Sequence, residues 1–293
     1  MNAPVAYRRR MDTIATTSGL ETPSGKGAGD ENFPVGSWLL PKALRPHVAI
    51  FYAYARAIDD IADNPQLAAD VKIARLEAFA NALRNGSSDP ALSKAEALRL
   101  SLVATGITPK HGLDLISAFK QDAVKPRYEN WGELLDYCDR SASPVGRYLL
   151  DLHGEDKSLY PFSDALCSAL QVINHLQDCA KDYAEMDRVY LPQNWMRTDN
   201  AAVEHLARPS LSPGLRRVLD RSLERVDTLL AEARRLPGNL RSRRLGAESA
   251  VIQAIAERLT VRLRYEDPLA TRVALSKPAA AVTALRALLG FWI

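Results

Sequence analysis

Cysteine is scarce in this chain, and the three present, Cys138, Cys167 and Cys179, form no CxxC pair and leave one over in any pairing. That argues against a disulfide framework, so a reducing compartment is the default. Long apolar runs are missing too: no segment reaches the roughly 18 uncharged apolar residues of a membrane-spanning helix. Arg8-Arg9-Arg10 is followed by Thr-, Ser- and Gly-rich sequence with no apolar stretch, so no export signal is read and a cytoplasmic location is expected. Charge of one sign is also lacking. The formal net charge is +3 and the basic residues are scattered, which argues against a nucleic-acid partner. Neither GxGxxG nor GxxxxGKS/T occurs, which removes the phosphate loops of dinucleotide-binding and P-loop folds. HExxH is absent, and no histidine follows a glutamate by three residues, which argues against a di-iron bundle. Sustained two-residue alternation and repeats of fixed period are not found either, so strands and solenoids are not expected.

What the chain does hold is a helical pattern. Hydrophobic residues make up 47% and charged residues 25%, the balance of a protein with a real core. Residues 1–30, with Gly19, Gly25, Gly27 and Gly29 among small polar residues, are expected to form a disordered tail before one all-α domain over 31–293. Apolar residues recur at steps of three and four, as in Leu76, Phe79, Ala80 and Leu83. The pattern predicts helices at 42–63, 68–84, 91–104, 110–122, 131–150, 163–185, 214–235, 246–265 and 278–290. Breakers separate them at Asn85 to Pro90, Thr105 to Pro109, and Pro237-Gly238-Asn239. Inside the 131–150 pattern, Ser143-Pro144-Val145-Gly146 predicts either a joint between two helices or a kink that makes room for a ligand.

Two acidic clusters carry the chemistry. In Asp59-Asp60-Ile61-Ala62-Asp63, the first and last aspartates share one helix face and Asp60 lies about 100° round. In the second, Asn174, Asp178 and Asp182 follow at i, i+4 and i+8. Carboxylates about 6 Å apart repel by on the order of 3 kcal/mol at an effective dielectric near 20. The neighbours Ala57, Ile58, Ile61, Val172, Ile173 and Leu176 are apolar, which places both helices inside the bundle. A buried acidic stripe calls for cations, and oxygen-only ligands suit Mg²⁺, which shares its positions with phosphate oxygens. Either cluster alone could be a solvated helix face. Both together in one helical chain predict a clamp for a metal-bound diphosphate. His175, inside the second cluster, is read as a core residue.

These residues, with Arg56 before the first cluster, Arg127-Tyr128, Tyr137-Cys138, Ser141-Ala142-Ser143-Pro144-Val145-Gly146 and Arg188-Val189-Tyr190-Leu191-Pro192, resemble the squalene/phytoene synthase family. The resemblance spans residues 32–265 and implies an all-α isoprenoid-synthase bundle with a central apolar cavity. It implies that Asp59, Asp60, Asp63, Asn174, Asp178, Asp182 and Tyr137 are catalytic, with Asp59, Asp63, Asn174, Asp178 and Asp182 holding Mg²⁺. It further implies that Arg56, Lys181, Arg188 and Tyr190 attend the diphosphate, and that Phe33, Tyr54, Val145 and Gly146 contribute to substrate binding. Two departures stand out: the family's Ser-x-Ser-Phe entry reads Asp30-Glu31-Asn32-Phe33-Pro34, and a glycine usual before Arg188 is Asp187.

The Asn32-Phe33-Pro34 entry and the Arg140-to-Gly146 run look most like the bacterial hydroxysqualene synthase branch. That branch works beside a separate presqualene diphosphate synthase and quenches its cation with water, so NADPH is not expected. The alternatives within the family are presqualene diphosphate synthase, phytoene synthase and one-step squalene synthase, and outside catalysis a scaffold of the same fold. The apolar segment from Ala279 to Ile293 leaves two readings open: a last helix packed on the bundle, or peripheral contact with the inner membrane.

Overall fold

The computed structural model describes residues 39–293, and all their regular structure is helical; the 1–30 tail, Phe33 and the Asn32-Phe33-Pro34 entry lie outside these residues. The first half contains α1 (Arg45–Asp63), α2 (Ala69–Asn85), α3 (Ser93–Thr105), α4 (Lys110–Asp122), α5 (Trp131–Ser141) and α6 (Ser143–Leu152). The second contains α7 (Tyr160–Gln177), α8 (Cys179–Met186), α9 (Gln193–Thr198), α10 (Pro213–Ala233), α11 (Leu236–Asn239), α12 (Arg243–Tyr265) and α13 (Lys277–Trp292). Among the described residues no strand forms, and a single isolated parallel bridge joins Arg127 to Val189.

Helix starts follow from local chemistry. Asn130, Ser212, Ser242 and Ser276 each accept a backbone N–H through their side chain at the head of α5, α10, α12 and α13. Proline sits in the first turn of α1, α6, α7, α10 and α13, where its missing N–H costs nothing. Buried Glu155, in the loop after α6, accepts from the backbone N–H groups of Arg241 and Ser242 and so fixes the approach to α12.

The bundle is built around α7, which packs against α5, α6, α10 and α12. On the other side α1 packs against α2, α3 and α4, and Phe51 of α1 stacks on Tyr148 of α6 with ring centroids 4.0 Å apart. Leu76, Phe79, Leu83, Leu98 and Leu115 are fully buried between α2, α3 and α4, as their three- and four-residue spacing requires.

Of the two readings of the 131–150 pattern, the joint between two helices is found, at Ala142 (φ −120°, ψ −49°), with Pro144 in the first turn of the second helix. Other expectations are corrected. The 163–185 helix also divides, at Asp178 (φ −104°, ψ 9°), so its second acidic stripe runs across a joint. The breaker Pro237-Gly238-Asn239 belongs to the one-turn helix α11, and α9 lies where no helix was expected. Both are too short to show apolar periodicity.

Candidate active site

The C-terminal half of α1 faces the α7–α8 pair across a cavity of about 620 Å³. Asp59, Asp60 and Asp63 line one side; Asn174, Asp178, Lys181 and Asp182 line the other. Asp122 at the end of α4, Tyr137 and Ser141 of α5, and Tyr190 close the space between them. Every residue of the two acidic clusters expected to act is therefore in one chamber.

The cations are already placed among the acids. Arg56 donates to Asp59 at 2.7 Å and to Asp60 at 2.8 Å. Arg188, 6% exposed, donates 2.6 Å to Asp63 and 2.9 Å to the carbonyl of Ala62, joining the segment after α8 to the end of α1. Lys181 is about half exposed at the mouth, 3.9 Å from Glu185.

Seven acids line the chamber against these three cations. The excess shows in the titration of the acids. Burial raises the pKa of Asp59 well above the carboxylate range, and the neighbouring Asp63 raises it further, although 27% of the Asp59 side chain remains exposed. Asp182 is pushed up to about 7, by burial first and then by Asp178 and Asp63. Asp122 is also pushed up to about 7 by burial, with Arg188 pulling the other way, and accepts a 2.8 Å hydrogen bond from the Tyr137 hydroxyl.

An aromatic layer supports these groups. His175 stacks on Tyr190 with centroids 3.5 Å apart, and Tyr190 lies 5.5 Å from Tyr128 and 5.7 Å from Tyr137. Burial and then Arg188 lower the His175 pKa to about 3, so the ring is a neutral packing surface.

A second chamber, about 390 Å³, adjoins the first. Arg56, Asp59, Phe119, Ser141, Gln171 and Asn174 line both and form the neck between them. Beyond the neck the walls are mostly hydrocarbon, including Val48, Phe51, Leu149, Leu166 and Leu170. The α5–α6 joint makes part of this wall through Ala142, Val145 and Gly146. Gly146 has no room for a side chain: a Cβ would collide with Ser163 Oγ and lie 2.7 Å from Cys167 Sγ. The Pro-Gly element is thus a joint between two helices, and it lines the apolar chamber.

A polar, cation-seeking head chamber joined to an apolar one suits an amphiphile with an anionic head. The family model described as "Squalene/phytoene synthase" matches residues 27–279. The chain belongs to the squalene/phytoene synthase family. Its relatives include a hydroxysqualene synthase of Rhodopseudomonas palustris, 44% identical over 88% of this chain and 87% of that one. Another, from Zymomonas mobilis, is 44% identical over 93% of both chains. Among solved structures, squalene synthase HpnC from Alicyclobacillus acidocaldarius superposes with a TM-score of 0.74 at 31% identity, over 89% of this chain and 95% of that one. As a squalene/phytoene synthase family member, the chain is an enzyme of isoprenoid diphosphate chemistry with an all-α fold.

Tyr54 is not in either chamber. It is fully buried beside Phe79 and its hydroxyl donates to the carbonyl of Gly112, which makes it a packing residue between α1 and α4. Asp187 occupies the left-handed backbone region (φ 51°, ψ 34°), which explains why glycine serves at this place; Arg127 donates to its carbonyl and its carboxylate. Asp122, Gln171 and Phe119 line the head chamber without having been singled out in the sequence. The Arg127-Tyr128 run just after Asp122 was the nearest available signal.

Proposed function

We propose that the enzyme converts presqualene diphosphate into hydroxysqualene, with diphosphate as leaving group and water as the quench. The observation that carries this reading is the neck: a head chamber lined by charged residues opens directly into a hydrocarbon chamber. Hydroxysqualene synthases at 44% identity over most of the chain support the choice of substrate within the family.

The residues fit Mg²⁺. Asp59, Asp63, Asn174, Asp178 and Asp182 offer oxygen donors only, and burial and mutual repulsion hold Asp59 and Asp182 protonated more readily than free aspartate. No group of three His, Cys, Asp or Glu side chains among the described residues is gathered tightly enough to hold an ion alone. Facing acidic banks that share an ion with phosphate oxygens account for that, because Mg²⁺ takes few carboxylates and keeps waters or phosphate. When bound, Mg²⁺ would supply positive charge to the departing diphosphate.

The chain's own cations do the rest at the head. Arg56, Lys181 and Arg188 compensate the diphosphate charge as the C–O bond breaks, and Arg188 would exchange Asp63 for phosphate oxygens. The cyclopropylcarbinyl cation left in the apolar chamber rearranges away from bulk water. One water then adds to the rearranged cation, forming the C–O bond of a tertiary alcohol and releasing one proton. Glu248 and Ser249 bring polar oxygens into the wall of that chamber, where such a water can be held. The step needs no hydride, hence no NADPH. The substrate must come from a separate reaction that couples two prenyl diphosphates head to head.

The test is product analysis with purified enzyme, Mg²⁺ and presqualene diphosphate in ¹⁸O-labelled water. One labelled oxygen per product alcohol is expected without NADPH. Squalene formed only with NADPH, or rapid turnover of farnesyl diphosphate to presqualene diphosphate, would overturn the assignment and leave family membership intact.

A further inference from the structure

The outward side of α13 is apolar and cationic at once. Val282, Leu285, Leu289 and Trp292 follow at steps of three, four and three on one side of the helix, and each is more than half exposed. The inward side accounts for the packing on the bundle: Ala284, Ala287 and Leu288 rest on the core, and Phe291 fills the space over Gly246, where a Cβ would lie 2.7 Å from the ring. Packing therefore gives no reason for the outer stripe.

The sequence of the helix and of the turn leading into α12 is basic, with the buried Glu155 held on the Arg241 and Ser242 backbone. Between Pro268 and Ile293 the sequence holds Arg272, Lys277 and Arg286 and no acid. The start of α12, beside the end of α13, adds Arg241, Arg243 and Arg244, again with no acid between Pro237 and Gly246. Arg243 lies over the Phe291 and Trp292 rings at 4.6 and 5.0 Å, which fixes part of this cluster to the end of the stripe.

We infer that the outer face of α13 docks on an anionic lipid surface, with the helix lying in the interface. Leucine and valine enter the headgroup boundary, tryptophan sits at its usual interfacial depth, and the arginines meet lipid phosphates. The helix does not cross the bilayer, and none of the described helices is long and apolar enough to do so. A second copy of this chain is a poor occupant. A symmetric pairing of the stripe brings one copy's α13 against another's, and α13 carries Lys277 and Arg286 with no acid of its own to meet them.

The placement also bears on release. Leu245 and Ile252 of α12 line the apolar chamber, and α13 packs on α12. Docking thus sets the hydrocarbon end of the cavity one helix away from lipid. This consequence rests on the proposed reaction; the docking does not.

The test is co-sedimentation of the full chain with vesicles of phosphatidylcholine alone and of phosphatidylcholine with phosphatidylglycerol. Binding is expected on the anionic vesicles and reversed by salt. Leu285→Glu/Leu289→Glu should weaken it about tenfold or more. Lys277→Gln/Arg286→Gln should weaken it without touching the apolar stripe. Circular dichroism and melting point, unchanged in both variants, keep folding apart from docking. Equal binding to the two vesicle types, wild-type binding by the Leu285→Glu/Leu289→Glu variant, or a wild-type dimer that this variant makes monomeric would each overturn the inference.

Discussion

Asp59 and Asp178 stand on facing sides of the head chamber, among carboxylates that already repel one another. Replacing either with asparagine removes a charged oxygen while easing that repulsion. Asp59→Asn and Asp178→Asn are each expected to melt at or above the wild-type temperature and to lose turnover by roughly a hundredfold or more. Turnover within a few-fold of wild type in either variant would contradict the two-bank site. Asp122 allows a different measurement. Its folded pKa is about 7 against the ordinary 3.8, because burial disfavours its charge. It therefore binds a proton on folding between those values, and its stabilising contribution is complete below about pH 4 and lost as pH rises through about 7. Asp122→Asn cannot titrate. The melting-point difference, wild type minus variant, should fall across that window in magnesium-free protein, and a flat difference would refute the assignment. Asp122 was hidden in the sequence for a physical reason: Ala118 and Phe119, one turn before it, and Lys125 and Pro126 after it carry no acid, so it belongs to no helical stripe. Its role comes from meeting Tyr137 of another helix. Tyr54 failed in the opposite direction. It lies near the acidic motif in sequence, but its place on α1 turns it toward Gly112 and away from the cavity.

Gly146 decides how closely α6 lies against α7. Gly146→Ala must push Ser163 and Cys167 away or tilt α6, and overpacking of this kind costs roughly 1–3 kcal/mol. A lowered melting point with a larger loss of turnover is expected, because the displaced helix also carries Ala142 and Val145 of the apolar wall. Unchanged melting would show that the contact is slack. Helices were legible from sequence where an apolar stripe ran for three turns or more: α4 is found over the predicted 110–122, and α1 ends at the predicted Asp63. The joint at Ala142 was announced by Pro144. The joint at Asp178 was not, since Gln177-Asp178-Cys179-Ala180 contains no proline or glycine and is compatible with an unbroken helix. What breaks it is tertiary: α8 leaves the line of α7, while Gln177, the last residue of α7, donates 2.5 Å to the carbonyl of Val273. Asn174 and Asp182 thus sit on segments that face the chamber separately, in place of the straight stripe expected.

At the scale of the whole molecule, a polar and an apolar chamber share a neck, so on the proposed reaction the binding of head and of tail should separate. Ile252→Trp, in the apolar chamber, is expected to slow turnover of the prenyl substrate strongly. The same variant should leave intact the rise in melting temperature produced by Mg²⁺ with inorganic pyrophosphate, about 2.7 kcal/mol of stabilisation at a hundred times the dissociation constant. Loss of both effects together would mean that the chambers are not independent. A further consequence follows from the bond between Arg188 and Asp63, which joins residues 125 positions apart. Closing a loop of that length costs about 4 kcal/mol of chain entropy before any contact across it is made. Nearly all helix–helix contacts within α1–α4 close far shorter loops. In refolding from denaturant, helical signal should therefore return ahead of the ability to bind pyrophosphate with Mg²⁺, and the head chamber should be among the last parts of the protein to exist.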